Sequence, residues 1–307
     1  MKILITPRSF GKNDNTPFEL LEKHGIEIVK NTTGGIMNEA QLIRAIADCD
    51  GVIIGVDPLN ETVISAAPKL KAIAKYGVGV DNIALDACKA RNIPVSRTVG
   101  ANSAAVADYA FGLMLALARQ IIPIDRMCRN GDWGKITTQD VSEKTLGLIG
   151  LGAIGRHMVK RAKGFDMKVM AFDIFWDEKY AAQEMIKKAD VDTICRECDF
   201  ISLHLPLTAE TADMIGEKQI EMMKSSAIVI NTARGGIIDE DALLKALKEN
   251  RIAGAGLDAF AEEPPENKEW FELNNVIIGS HCAASTDGAA NTMGMMAARN
   301  LLEDLGL

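Results

Sequence analysis

Positive charge is the scarcer sign in this chain. It sets 34 Lys and Arg against 42 Asp and Glu, a formal charge of −8, with no basic run and no basic–aromatic stripe. Nucleic-acid and anionic-membrane partners are therefore not expected, since both demand a concentrated cationic face. Cysteine is also thin, at six in 307 residues. With no secretory signal in view, that excludes a disulfide scaffold and leads us to expect reduced thiols and a cytoplasmic setting. Cys195 and Cys198 do form a CxxC, but no second pair has zinc-site spacing and the stretch VDTICRECDFISLHL reads as helix running into strand. They are expected to be incidental thiols, and no metal site is expected. Long apolar runs are missing too. The opening MKILITP lacks the apolar stretch of a signal peptide and reads as a first strand, while Ala104–Ile122 is broken by Asp108 and Arg119 and reads as a buried helix rather than a membrane span. Neither internal repeats nor low-complexity segments occur.

What the chain does have is ordinary core material, 48% hydrophobic and 25% charged, at a length that suits about two domains. Short β-branched runs recur between amphipathic segments of helix length. The first series is Lys2–Thr6, Glu27–Lys30, Gly51–Gly55, Leu70–Tyr76 and Ile93–Ser96; between them, Glu39–Asp48 carries Leu42, Ile43, Ile46 and Ala47 at helical spacing. A second series follows a helix near 104–121: Thr145–Ile149, Lys168–Phe172, Phe200–Leu203, Ala227–Asn231, Ala253–Leu257 and Val276–Gly279. Such alternation predicts α/β architecture with parallel sheets covered on both faces, and six strands match a full dinucleotide-binding domain. The terminal helix, about 285–304, is expected to cross back to the first domain.

The sharpest local pattern is TLGLIGLGAIGR, residues 145–156. A GxGxxG is weak alone, but here a strand leads in, a helix leads out through Ala153 and Ile154, and Asp173 closes the next strand 23 residues beyond Gly150. Gly150 suits a tight turn, Gly152 lets backbone approach a pyrophosphate, and Gly155 allows close helix–strand packing, with the phosphates at the positive end of the helix dipole. Asp173 is expected to take the ribose hydroxyls. No Arg follows it to receive a 2′-phosphate, which points to NAD rather than NADP.

With YGVGVDNI (76–83), ANSAAVADYAFGLMLALAR (101–119), SLHLPLT (202–208), INTARGGIIDEDAL (230–243), GLDAFAEEPP (256–265) and SHCAAST (280–286) added in order, the sequence resembles the D-isomer-specific 2-hydroxyacid dehydrogenases over nearly its whole length, and among them the catalytic core of the phosphoglycerate dehydrogenases. The resemblance implies two doubly wound parallel-sheet domains: a Rossmann dinucleotide-binding domain, 99–284, inserted into a flavodoxin-like substrate domain formed by 1–98 and 285–307. It also implies an active site in the cleft between them and homodimers formed through the dinucleotide domains. It makes Arg234 the substrate-binding arginine, Glu263 the relay carboxylate and His281 the general acid/base. The types suit the chemistry, because oxidising a 2-hydroxy acid removes a hydroxyl proton as hydride leaves the same carbon. A carboxylate can fix the imidazole tautomer, and an Arg can clamp the substrate carboxylate. By the same resemblance His204, Pro206, Thr232, Ala233 and Asp258 lie along the cofactor, Asp258 on the nicotinamide carboxamide. Val78 and Gly79 offer backbone N–H groups to the substrate carboxylate, and Asn102 lies near the hinge and substrate. His24 and His157 are expected to be ordinary surface histidines.

Three departures from the family pattern stand out, two beside His281 and one that bears on substrate. Gly279-Ser280 stands where most relatives have Thr-Pro, and Cys282 follows the histidine where an aliphatic residue is usual. The loop at Gly55-Val-Asp57 carries no arginine where phosphoglycerate dehydrogenases present Arg-Ser, which leaves Lys75 as a candidate phosphate ligand. The chain also has no C-terminal regulatory module, so serine feedback is not expected. D-3-phosphoglycerate/3-phosphohydroxypyruvate is the first expectation for substrate, glyoxylate or hydroxypyruvate reduction the second. An NAD-sensing corepressor-like binding protein and an inactive paralogue are the readings from other classes.

Overall fold

The computed structural model describes all residues, 1–307, and the chain divides into two units: Met1–Asn102 with Ser285–Leu307, and Ser103–Ala284. The first holds five parallel strands, β1 (Lys2–Ile5), β2 (Glu27–Lys30), β3 (Gly51–Ile54), β4 (Ala72–Lys75) and β5 (Val95–Arg97), ordered β2-β1-β3-β4-β5. β3 and β4 are buried along their whole length, as central strands covered on both faces must be, while the edge strands β2 and β5 are only half-buried. The helix Asp287–Asp304 belongs to this unit. Its Ala297, Ala298, Leu301 and Leu302 close one core layer over Ile3, Ile5, Ile53, Ala72 and Ala74.

The second unit has seven parallel strands: β6 (Thr145–Ile149), β7 (Lys168–Phe172), β8 (Lys187–Lys188), β9 (Phe200–Leu203), β10 (Ile228–Asn231), β11 (Gly254–Leu257) and β12 (Val276–Ile278). Their order is β12-β11-β10-β9-β6-β7-β8. Six of these follow from the hydrophobic pattern. β8 does not, because it is two exposed lysines on the sheet edge with no apolar side chain, paired through the backbone with Met170 and Ala171. The apolar helix spans Ser103–Ala118, with Ala107, Ala110, Phe111 and Met114 buried. Gln120, at φ 47°, ends it short of residue 121, and a second helix, Ile121–Arg129, leaves at a 58° bend. No single helix is long and apolar enough to cross a membrane.

Asn or Asp side chains cap several helices. Asn38 forms a capping box with Gln41, and Asp190 and Asp239 accept from Thr193 and Ala242. The sheet order matters most for function. After β6 the chain lays β7 and β8 to one side, then returns to lay β9 to β12 on the other, so a crevice opens beyond the carboxyl ends of β6 and β9. Because all strands are parallel, the residues that follow them gather along one sheet edge: Gly150, Asp173, His204, Thr232, Asp258 and, just past β12, His281.

Candidate active site

The glycine loop shows why Gly150 and Gly155 must be bare. Gly150 has φ 105°, and a Cβ there would sit 2.5 Å from the His204 carbonyl oxygen. A Cβ on Gly155 would lie 2.2 Å from the Gly150 oxygen, so helix Ala153–Lys163 meets its strand backbone to backbone. Gly152 faces open space with nothing within 4 Å of its Cβ position, and as N-cap it gives the helix no side-chain acceptor. The first N–H groups of that helix are thus left to an anion. Asp173 accepts from Leu151 N–H at 2.6 Å and Phe175 N–H at 2.7 Å. With Phe172, Lys188, Ala189, Asp190 and Thr193 it lines an open cavity of about 450 Å³. A carboxylate has further lone pairs, so accepting two amides leaves capacity for hydroxyls.

Two buried polar atoms beside this crevice have no protein partner, His204 Nδ1 and Thr232 Oγ1. His204 Nε2 lies 3.0 Å from the hydroxyl of fully buried Ser202, and burial drives the imidazole pKa down to about 3, so the ring stays neutral at ordinary pH. Buried orphans are rare. Together with the open space at Gly152 and the Asp173 cavity, they fit a dinucleotide that passes over the loop and presents polar groups to both. Pro206, exposed, accepts from the Thr211 hydroxyl at 2.7 Å and holds the turn after β9.

Beyond β10, Asn231 is buried and shapes the next turn. Its Oδ1 accepts from Ala233 N–H at 3.0 Å and its Nδ2 donates to the Arg234 carbonyl at 2.7 Å. The Arg234 guanidinium donates in turn to the Ala233 carbonyl at 2.7 Å. Asn231 lies in the INTARGG motif, and its buried amide at a strand end is a signal that sequence reasoning passed over.

His281 and Glu263 are brought together directly. His281 Nδ1 lies 2.9 Å from both carboxylate oxygens, with the two side chains 41% and 39% exposed. A carboxylate only accepts, so Nδ1 carries the proton and Nε2 is left for a substrate. His281 also has φ 55°, which is uncommon outside glycine. Asp258 supports that conformation: its buried carboxylate accepts from Cys282 N–H at 2.9 Å and Ala283 N–H at 2.8 Å. The Cys282 thiol lies 3.4 Å from the Tyr109 hydroxyl and 3.6 Å from Asp258 Oδ1. This packing accounts for the glycine at 279, since a Cβ there would stand 2.1 Å from Asp258 Oδ1 and 2.7 Å from the Tyr109 hydroxyl.

In the first unit, Lys75 is buried and donates to the Gly55 carbonyl at 2.6 Å and Asn82 Oδ1 at 2.7 Å. Asn82 Nδ2 reaches the carbonyls of Gly55 and Asp57 at 3.0 and 2.6 Å. The Asp57 carboxylate, also buried, accepts from the Thr6 hydroxyl and, at 2.7 Å, from Met37 N–H. Val78 and Gly79 sit on the loop that follows β4, where no main-chain acceptor takes their N–H groups. Asn102 is the last residue of its segment, directly before helix Ser103–Ala118.

The CxxC thiols are core atoms. Cys195 and Cys198 are buried, and burial pushes each thiol up to about 12. Cys198 Sγ fills the space beside Gly147, where a Cβ would come within 2.8 Å of it.

The NAD-binding-domain profile of the D-isomer-specific 2-hydroxyacid dehydrogenases matches residues 111–283. A glyoxylate reductase of Thermococcus litoralis is 43% identical over 273 residues, 85% of this chain and 82% of that one. A D-3-phosphoglycerate dehydrogenase of Archaeoglobus fulgidus is 38% identical over 288 residues, 92% of this chain but 54% of its own. Among solved structures, the D-lactate dehydrogenase of Aquifex aeolicus complexed with NAD and lactic acid superposes with a TM-score of 0.83 at 28% identity, covering 99% of this chain and 97% of that one.

Proposed function

The chain belongs to the D-isomer-specific 2-hydroxyacid dehydrogenase family and is an NAD-dependent oxidoreductase, and we propose that it reduces small unphosphorylated 2-oxo acids such as glyoxylate and hydroxypyruvate. The observation that carries this reading is the engagement of Lys75. The one cation that the sequence offered to a substrate phosphate is buried and spends donors on Gly55 and Asn82. Turning it toward a phosphate would break two hydrogen bonds made by a charged donor, each worth about 1.5–3 kcal/mol. The buried Asp57 carboxylate in the same loop adds negative charge where a dianion would need the opposite. The resemblance to a glyoxylate reductase points the same way, while the phosphoglycerate dehydrogenase relative keeps the phosphorylated acid as the second reading.

The glycine loop and the start of helix Ala153–Lys163 would hold NADH, which would supply a hydride to the substrate carbonyl carbon. In the reductive direction His281 acts as imidazolium, stabilised by Glu263 at Nδ1: it gives its Nε2 proton to the carbonyl oxygen and is left as the neutral Nδ1–H imidazole, which solvent reprotonates. Arg234 binds the substrate carboxylate and polarises the carbonyl beside it. Asp173 would take the adenosine ribose with the lone pairs its two amide bonds leave over, and His204 and Thr232 would face the nicotinamide side, the role their partnerless polar atoms suit. NADH oxidation with glyoxylate, hydroxypyruvate and 3-phosphohydroxypyruvate should rank kcat/KM at least about ten-fold higher for an unphosphorylated acid, the worth of one lost charged contact. Preference for the phosphorylated acid overturns the assignment of Lys75.

The same unit presents Ile121, Ile122, Trp133 and Ile136 to solvent, Trp133 at 82% exposure. Exposed apolar side chains of this size are found at interaction surfaces, and we propose that a second copy of the chain covers these. Light scattering should then return twice the chain mass of 33.2 kDa. A monomer at micromolar concentration removes the proposal.

A further inference from the structure

Glu240 opens the helix Glu240–Lys248, one residue after the cap Asp239. A carboxylate in a first helical turn is ordinarily solvated and explained by the helix dipole. This one is half-buried and turned toward another loop: it accepts from Ala261 N–H at 2.7 Å. Burial pushes the Glu240 carboxyl above the usual carboxylate range, against the opposing pull of the Ala261 and Gly236 amides. The native fold therefore holds a partly desolvated carboxylate here, for which capping gives no reason.

What Glu240 holds is the turn that carries the relay carboxylate. Ala261 follows Phe260, whose N–H is accepted by Glu263 Oε1 at 3.1 Å, and that same oxygen lies 2.9 Å from His281 Nδ1. The turn after Arg234 touches the same peptide, since a Cβ on Gly235 would stand 1.9 Å from the Phe260 carbonyl carbon and 2.0 Å from Ala261 N. Two loops, one bearing Arg234 and one bearing Glu263, thus meet backbone to backbone, and Glu240 is the side chain that ties the meeting point.

We propose that Glu240 is a positioning residue for the acid–base pair: by holding the Ala261 N–H it sets the turn that aims Glu263 at His281. The inference rests on the reading of His281 and Glu263 as that pair. It gives the side chain no contact with substrate or cofactor.

The test compares wild type, E240A and E240Q in NADH affinity, in kcat and KM with glyoxylate, and in the fraction of the His281 ring in the Nδ1–H tautomer, read by ¹⁵N NMR. E240A should lose about ten-fold or more in kcat, the usual scale for displacing a catalytic group by a fraction of an ångström. NADH affinity should stay within about two-fold, and the Nδ1–H fraction should fall. E240Q should restore both kcat and tautomer, because its amide oxygen still accepts from Ala261. Should E240A not fold, E240D, one methylene too short for Ala261, should show the same loss. Wild-type kcat and tautomer in E240A sink the proposal. So does E240Q as poor as E240A, or a loss of NADH binding in step with kcat, the mark of a merely structural part. If wild type turns over no 2-oxo acid, the catalytic reading fails on its own, and the tautomer fractions still decide what Glu240 does.

Discussion

Replacing His281 by Asn should lower kcat for the 2-oxo acid by about 10²–10⁴-fold, the range that a positioned proton donor contributes. NADH affinity should stay within a few-fold, because the glycine loop and Asp173 lie after β6 and β7 and share no hydrogen bond with His281. Asn fills much of the imidazole volume and keeps a hydrogen-bonding group toward Glu263, but it cannot pass a proton at neutral pH. The geometry makes the effect a proton-transfer effect: Nδ1 is committed to both Glu263 oxygens at 2.9 Å, so Nε2 is the single nitrogen left to act. Steady-state kinetics at saturating NADH, with a fluorescence titration of the cofactor alongside, separate the two quantities. Retained kcat in H281N would falsify the assignment.

The second large effect is expected at Asp258. Its two oxygens accept the N–H groups of Cys282 and Ala283, and the carboxylate is buried. D258A strands both donors, at about 1–3 kcal/mol each. It also releases the loop that keeps His281 at φ 55°. A melting temperature lower by several degrees is expected, at roughly 2–4 °C per kcal/mol, together with a drop in kcat of about 10²-fold from the displaced imidazole. D258N should fall between, since its amide nitrogen would face one of the two N–H donors and at most one bond survives. The family resemblance places the same carboxylate on the nicotinamide carboxamide. If that contact were its whole part, D258A would weaken NADH binding and leave kcat at saturating cofactor near wild type.

Both residues stand in short motifs, and so does most of the candidate site. The strand leading into TLGLIG, the helix leading out and Asp173 at the end of the next strand are all local features, and the structure sets them as the pattern implies. Eleven of the twelve strands also follow from short apolar runs, most of them β-branched. The exception, Lys187–Lys188, has no apolar signal because an edge strand two residues long is made by its neighbour's backbone. The break at Gln120 was equally silent, since a left-handed φ at a non-glycine residue leaves no compositional trace.

The residues that hold the site in shape were hidden for a different reason. Tyr109 and Cys282 are 173 positions apart, Glu240 and Ala261 are 21, Lys75 and Gly55 are 20, and nothing in a linear pattern says that they touch. Lys75 illustrates the limit. Its charge and position suggested a phosphate ligand, and the fold adds hydrogen bonds to the Gly55 carbonyl and the Asn82 side-chain oxygen that no local pattern announces.

Periodicity, glycine spacing and the ordered motifs were enough to predict the α/β class and to single out the glycine loop, His281, Glu263 and Arg234 as candidates, because each is encoded within a few neighbouring residues or one strand–turn–helix unit. Which side chains support them, which cation is already spoken for and which amide a carboxylate holds depend on strands brought side by side from distant parts of the chain. Burial then decides the outcome, since a buried donor or acceptor must find its partner across the fold.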